Sequence, residues 1–116
     1  MKTIIAGSRG ITDIDTVVMA VFSSGFDITK VLSGGAQGVD KLGEQVARDL
    51  EVELEVFQAD WATHGNKAGY LRNVVMSSKA DALIAVWDGK SKGTKHMIDI
   101  ATKDGLKVFV YNTAEN

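Results

Sequence analysis

The stretch Val31–Ala47, VLSGGAQGVDKLGEQVA, decides how the rest of the chain is read. Two apolar residues and Ser33 close a strand. Gly34, Gly35 and Gly38 then fall within five positions, and Val39, Leu42, Val46 and Ala47 recur at helical spacing around Asp40. The order is strand, glycine turn, helix. Glycine permits positive φ and close approach of the backbone to a ligand, and a helix start carries unpaired N–H groups and partial positive charge. Together they make an anion cradle, most often for phosphate or pyrophosphate. The same residues also suit a plain strand-to-helix turn that needs glycine only for its geometry.

Upstream, Lys2 to Ala6 is a continuous apolar run that ends in Gly7-Ser8-Arg9-Gly10. A run of that kind fits a strand buried on both faces, as in a parallel sheet covered by helices. Thr12-x-x-Asp15 resembles a capping box, and Val17, Val18, Val21 and Phe22 form the apolar stripe of a helix ended by Gly25. Downstream, Glu53 to Phe57 alternates polar and apolar and is expected at a sheet edge. Gln58 to Asn66 reads as a loop carrying Asp60, Trp61 and His64. Ala68, Leu71, Val74 and Val75 predict a helix to about Ser78, and Asp81 to Trp87 a fourth, apolar strand. A second glycine loop, Asp88-Gly89-Lys90-Ser91-Lys92-Gly93-Thr94, leads into a helix with Met97, Ile98 and Ala101. After Gly105, Leu106 to Tyr111 is the fifth strand, and Asn112 to Asn116 is expected to fray.

This βαβαβαβαβ alternation predicts an α/β, doubly wound, Rossmann-like parallel sheet of five strands with helices on both faces and right-handed crossovers. With the first three strands in one half and the last two in the other, the order is 3-2-1-4-5. Ligands in such sheets sit at the carboxyl ends of strands where the order reverses. That brings Gly7, Ser8 and Arg9, Ser33, Gly34 and Gly35, and Asp88 and Gly89 to one rim.

The 116 residues suit one domain with a core that needs no staples. A hydrophobic share of 45% and a charged share of 24% are those of an ordinary soluble protein. No apolar run approaches the ~20 residues needed to span a bilayer, so no membrane partner is expected. The chain has no cysteine and two distant histidines, which argues against thiolate and histidine metal sites and suits the cytoplasm. A formal charge of −2 argues against nucleic-acid backbones, which select a basic face. It leaves room for a small phosphorylated ligand.

Four segments in order, AGSRG, SGGAQGVDKLGEQVA, DWATHGNKAGYLRNVVM and DALIAVWDGKSKGT, resemble the SLOG superfamily of Rossmann-like proteins, and within it the YspA/YpsA-related group of small nucleotide-binding domains. The resemblance implies a single SLOG-like domain over residues 1–116. Its function would be binding or sensing of a nucleotide or nucleotide-derived small molecule, with no other cofactor identified. It also brings two alternatives. The Lonely Guy phosphoribohydrolases of the superfamily suggest hydrolysis or transfer at the N-glycosidic bond of a nucleoside monophosphate, and DprA suggests single-stranded DNA binding. The phosphoribohydrolase loop has the form PGGxGTxxE, and its glutamate works with an arginine that corresponds to Arg72. Here Met97 stands at the glutamate position, so that mechanism does not carry over. Related proteins are often homodimers, and the Val74/Val75 side offers a face for a homodimer or higher homo-oligomer.

The ligand-binding candidates are Gly7, Ser8, Arg9, Ser33, Gly34, Gly35, Gly38, Asp40, Arg72, Asn73, Asp88, Gly89, Gly93 and Thr94. The catalytic candidates are Asp40, Glu44, His64 and Arg72. An arginine fork at Arg9 suits bidentate phosphate contact. Asp40 is read as a first-turn carboxylate stabilised by the helix dipole, or as a ribose ligand or general base, and Glu44 falls on the same helix face one turn on. His64 is either a proton-transfer group closing over the site or an ordinary loop histidine. Asn73 has poor helix propensity for a mid-helix position, which points to a side-chain role. Trp61 and Trp87 suit base stacking or the core, and Lys90, Lys92 and Lys95 add positive charge beside the second loop.

Overall fold

The computed structural model describes residues 1–115. Five parallel strands, β1 (Lys2–Gly7), β2 (Lys30–Ser33), β3 (Glu53–Val56), β4 (Ala82–Trp87) and β5 (Lys107–Asn112), form one sheet in the order β3-β2-β1-β4-β5. The helices are α1 (Ile14–Ser24), α2 (Val39–Asp49), α3 (Trp61–His64), α4 (Ala68–Lys79) and α5 (Lys92–Lys103). This is the Rossmann-like arrangement expected from the alternation, and β1 and β4 are the neighbours between which the order reverses.

Strand alternation sorts the core into two layers. Ile5, Val31, Ile84 and Val86 pack against Val17 and Ala20 of α1 and Val39, Val46 and Ala47 of α2. On the other face, Ile4, Ala6, Leu32, Leu83 and Ala85 meet Met76 of α4 and Met97 and Ala101 of α5. Full burial of each large aliphatic side chain contributes ~1.5–3 kcal/mol, so the central strands β1 and β4, covered on both faces, anchor the sheet. Their register pairs Ala6 with Ala85 and Gly7 with Val86, which sets both carboxyl ends at one level.

Local boundaries differ from the sequence expectations: β3 ends at Val56 rather than Phe57, β5 starts at Lys107 rather than Leu106, α5 already starts at Lys92 within the second glycine loop, and three further differences involve caps and turns. The N-cap of α1 is Asp13, whose Oδ1 accepts from Asp15 N at 3.0 Å. Thr12 is one residue too early for the helix that starts at Ile14. The segment from Gln58 to Asn66, expected as loop, contains α3. Asp60 caps it by accepting from Thr63 N at 3.2 Å, and a 3-10 turn, Gly65–Lys67, leads into α4. At the end of the chain, Asn112 belongs to β5 and Thr113–Glu115 forms a 3-10 turn with Thr113 Oγ1 donating to Trp87 O at 3.3 Å. Asn116 lies outside the described residues.

Candidate functional site

At the reversal point the carboxyl ends of β1 and β4 open into a cavity of about 440 Å³. Ala6 and Gly7 of β1 and the buried Met76 and Met97 form its base. Asp40 of α2 and Arg72 of α4 lie close together beside Gly34 on its wall, with Asn73 next to them; the β1–α1 loop brings Arg9 and Gly10, and the start of α5 brings Ser91, Gly93 and Thr94. Trp61 and Tyr70, both exposed, form an aromatic rim.

The glycine loop after β2 is tied down internally. Ser33 Oγ lies 2.7 Å from Glu44 Oε2, to which it donates, and accepts from Gly35 N at 3.1 Å. Ala36 N donates to Asp40 Oδ2 at 3.2 Å and Val39 N to Ser8 O at 3.4 Å. The amides of Gly35, Ala36 and Val39 therefore already have protein acceptors. Ser33, Gly38 and Glu44 stand outside the cavity lining, and Gly34 and Gly35 line a smaller hollow of about 60 Å³ that shares Arg9, Ala36, Trp61 and Arg72 with the cavity. Glu44 reaches Ser33 and, at 3.7 Å, Lys41 Nζ because one turn along α2 carries it beneath the end of β2 rather than into the opening.

The second loop is built around Asp88 and Ser8. Asp88 Oδ1 accepts from Lys90 N at 2.8 Å and Ser91 N at 2.9 Å, and these amides hold its carboxyl below the usual range. Ser8 Oγ accepts from Asp88 N at 3.0 Å, so this buried serine braces one loop against the other. Ser91 caps α5, accepting from Thr94 N at 3.3 Å, and Trp87 Nε1 donates to Ser91 O at 3.0 Å. Trp87 is thereby committed to the loop. The amides of Lys92 and Gly93, in the first turn, have no partner within the helix. Ser8, Gly89 and His64 are absent from the cavity lining, and His64 is exposed at the end of α3.

Charge in the cavity is unevenly solvated. Burial raises the Asp40 pKa from 3.8 to about 6, against the opposing pull of the Ala36 amide, the Arg72 guanidinium and the Gly7 amide, while Glu44 adds to the rise. Burial likewise lowers the Arg72 pKa, with Asp40 opposing and the neighbouring Arg9 assisting. Arg72 Nη1 donates to Gly34 O and its Nε to Asn73 Oδ1 at 3.1 Å. Asn73 Nδ2 continues to His96 Nδ1 at 3.2 Å and Gly93 O at 3.4 Å, and the His96 ring packs on Tyr70 with centroids 4.5 Å apart. Sequence reasoning passed over Tyr70, Asn66, Ser91 and His96. Of these only Ser91 left a signal, the cap spacing Ser91-x-x-Thr94. Among the described residues, no group of three or more His, Cys, Asp or Glu side chains is placed to hold a metal ion, and no helix is long and apolar enough to cross a membrane.

The Asp40 shift has a thermodynamic consequence. A carboxyl whose folded pKa lies above its unfolded value favours the protonated fold. The associated stability is fully present below about pH 4 and is lost as pH rises through about 6, by about 3 kcal/mol in all. Asp40→Asn is expected to be more stable than wild type at pH 7.5 by about 1–3 kcal/mol in urea unfolding, with most of that gain gone at pH 4.5. A gain that did not change with pH would show that Asp40 carries no such burden.

Fold and site together define a Rossmann-like α/β domain whose cavity lies at the topological switch point. The chain belongs to the YspA, cpYpsA-related SLOG family (YAcAr), whose family model matches residues 1–64, more than half the length of the chain. The matched part runs from β1 to α3 and includes Arg9 and Asp40; Arg72, Asn73 and the α5 start lie beyond it. The chain is also similar to the Gene 61 protein of Mycobacterium phage D29, with 39% identity over 85 residues that take in 68% of each chain. No solved structure gave a significant match.

Proposed function

We propose that this protein binds or senses a nucleotide or nucleotide-derived small molecule in the cavity at the β1/β4 switch point. The observation that carries the reading is the sorting of groups around that space. The free first-turn amides of α5 and the Arg9 and Arg72 guanidinia suit phosphate, the buried Asp40 carboxylate suits a ribose hydroxyl donor, and the Trp61/Tyr70 rim suits the flat face of a base. Membership of the SLOG family supports the same nucleotide-related reading. The cytoplasm is its proposed setting.

A thermal-shift panel of AMP, ADP-ribose and related nucleotides tests it. Ligand at ~100 times its Kd adds ~2.7 kcal/mol of stability, which is expected to raise Tm by roughly 10 °C. No shift from any nucleotide would discard the reading. A second copy of this chain is the partner we propose for α4, because Tyr70, Leu71, Val74 and Val75 form an exposed apolar stripe between Lys67 and Lys79. Native mass spectrometry of the purified protein reads ligand and subunit number together, and a strictly monomeric mass at all concentrations rejects the self-association.

One observation favours a catalytic reading as the alternative. Asp40 has a pKa of about 6 in the cavity wall, where a general acid or base is most effective. In that case water adds to the ribose of a nucleoside monophosphate as the base departs with a proton. Release of free base from AMP by wild type, absent in Asp40→Asn, would favour it; binding without release favours the sensing role.

A further inference from the structure

A chain of hydrogen bonds crosses the back of the cavity from the loop after β2 to the start of α5: Gly34 O, Arg72, Asn73, then His96 and Gly93 O. Its directions are fixed from one end. A guanidinium only donates, so Asn73 must turn Oδ1 toward Arg72 Nε and its amino group toward Gly93 O and His96 Nδ1. A carbonyl only accepts, which agrees. Nδ1 of His96 must therefore be the bare nitrogen, and the neutral ring carries its proton on Nε2. A proton added at Nδ1 sets N–H against N–H. Turning the Asn73 amide over relieves that contact but faces its amino group to the Arg72 N–H and its oxygen to Gly93 O. No arrangement of these three side chains is fully satisfied once His96 is charged.

We infer that His96 is a positioning residue of this cavity: its neutral ring holds Asn73, and through Asn73 the Arg72 guanidinium and the Gly93 end of α5, and its protonation releases them. The ring packs on Tyr70 and bonds Asn73, with Arg72 behind Asn73, all from α4; on its own helix Asp99 acts on it from one turn on, Lys92 lies one turn back and Lys95 is the preceding residue. Lys95 Nζ is held by Asp99 Oδ2 at 2.8 Å. Burial lowers the His96 pKa from 6.5 and Asp99 opposes the shift, so the network is intact at neutral pH and is lost as pH falls through that lowered value. Asp40 also gains a proton as pH falls, through about 6, and the test must separate the two.

Side-chain NMR of 15N-labelled protein does so, because Asn73 Nδ2 bonds His96 directly. At pH 7.5 the His96 ring is expected as the Nε2–H form, and the Asn73 amino signals are expected to move with the His96 titration. His96→Asn can place a non-titrating Oδ1 acceptor at the Nδ1 position. In that variant the Asn73 signals should stay fixed through the range, and 5′-AMP affinity should lose roughly two- to tenfold less than wild type between pH 7.5 and a pH below the His96 midpoint that the NMR titration reads. An Nδ1–H ring at pH 7.5, or Asn73 signals indifferent to the His96 proton, overturns the inference, and both are read on wild type should the variant misfold. The consequence for affinity rests on the nucleotide-binding reading. The NMR outcomes need no ligand, so a protein that binds no AMP but shows them loses the binding reading and keeps the positioning one.

Discussion

Arg72→Ala is expected to lower stability by about 2–4 kcal/mol at pH 7.5 and to weaken 5′-AMP binding by roughly 10- to 100-fold. The stability loss has identifiable parts. Gly34 O and Asn73 Oδ1 each lose their donor, at about 1–3 kcal/mol for a buried group left unmatched, offset in part by the desolvation that the buried guanidinium no longer suffers. Asp40 loses a cation that now holds its pKa down, so its carboxyl rises further and the deficit is larger at pH 7.5 than at pH 4.5. The binding loss follows from removing a charge-assisted, forked donor from the cavity wall. Arg72→Lys restores charge near Asp40 but lacks the planar fork that reaches Gly34 and Asn73 at once, so it should recover the pH dependence and little of the affinity. Combining Arg72→Ala with Asp40→Asn should cost less than the sum of the single changes, the mark of a coupled pair. Urea unfolding at two pH values and calorimetric titration with AMP read all of this. Additive effects, or wild-type affinity in Arg72→Ala, would reject the account of Arg72 as the centre of the site.

Arg72 was marked by the family resemblance and Asn73 by its poor helix propensity, and how far the other positions were legible depends on what fixes each of them. The topology follows from patterns that are local and redundant. Unbroken apolar runs mark β1 and β4, whose Ile4, Ile5, Leu83 and Ile84 are fully buried, the polar alternation of Glu53–Val56 marks the edge strand, and right-handed crossovers then leave few strand orders. Once the order is known, every residue just after a strand is on the rim, so Arg9 and the glycine loops are placed without knowing any side-chain rotation. Ser33 and Glu44 are different. Whether a hydroxyl at a strand end faces a ligand or the adjacent helix is decided by one side-chain direction, and here the helix carboxylate claims it. His96 depends on the register between α4 and α5, which no single-helix periodicity encodes. α3 is too short for any periodic signal, so only Asp60 and its cap spacing to Thr63 announce it.

Gly38→Ala should carry the other large effect, a loss of about 3 kcal/mol or more and a fall in Tm of roughly 10 °C or more. Gly38 is the N-cap of α2 with φ 78° and ψ −129°, a region essentially closed to L side chains. An added Cβ would stand 2.5 Å from both Ser8 O and Arg9 O. The backbone cannot retreat, because Val39 N donates to Ser8 O at 3.4 Å and Leu42 N to Gly38 O at 3.1 Å. Relief must come from the β1–α1 loop, which carries Arg9 into the cavity, so AMP affinity should fall along with stability. Gly25 supplies the control. Its φ is 67°, yet nothing lies within 4 Å of an added Cβ, so Gly25→Ala meets only the left-handed backbone penalty of about 1 kcal/mol and leaves binding untouched. The difference between the two variants is the extra cost at Gly38, where a backbone region closed to L side chains and the contact between the glycine turn and the Arg9 loop act together. If Gly38→Ala melts no earlier than Gly25→Ala, the two loops are not wedged together at Gly38, and Arg9 owes its place in the cavity to something other than this turn.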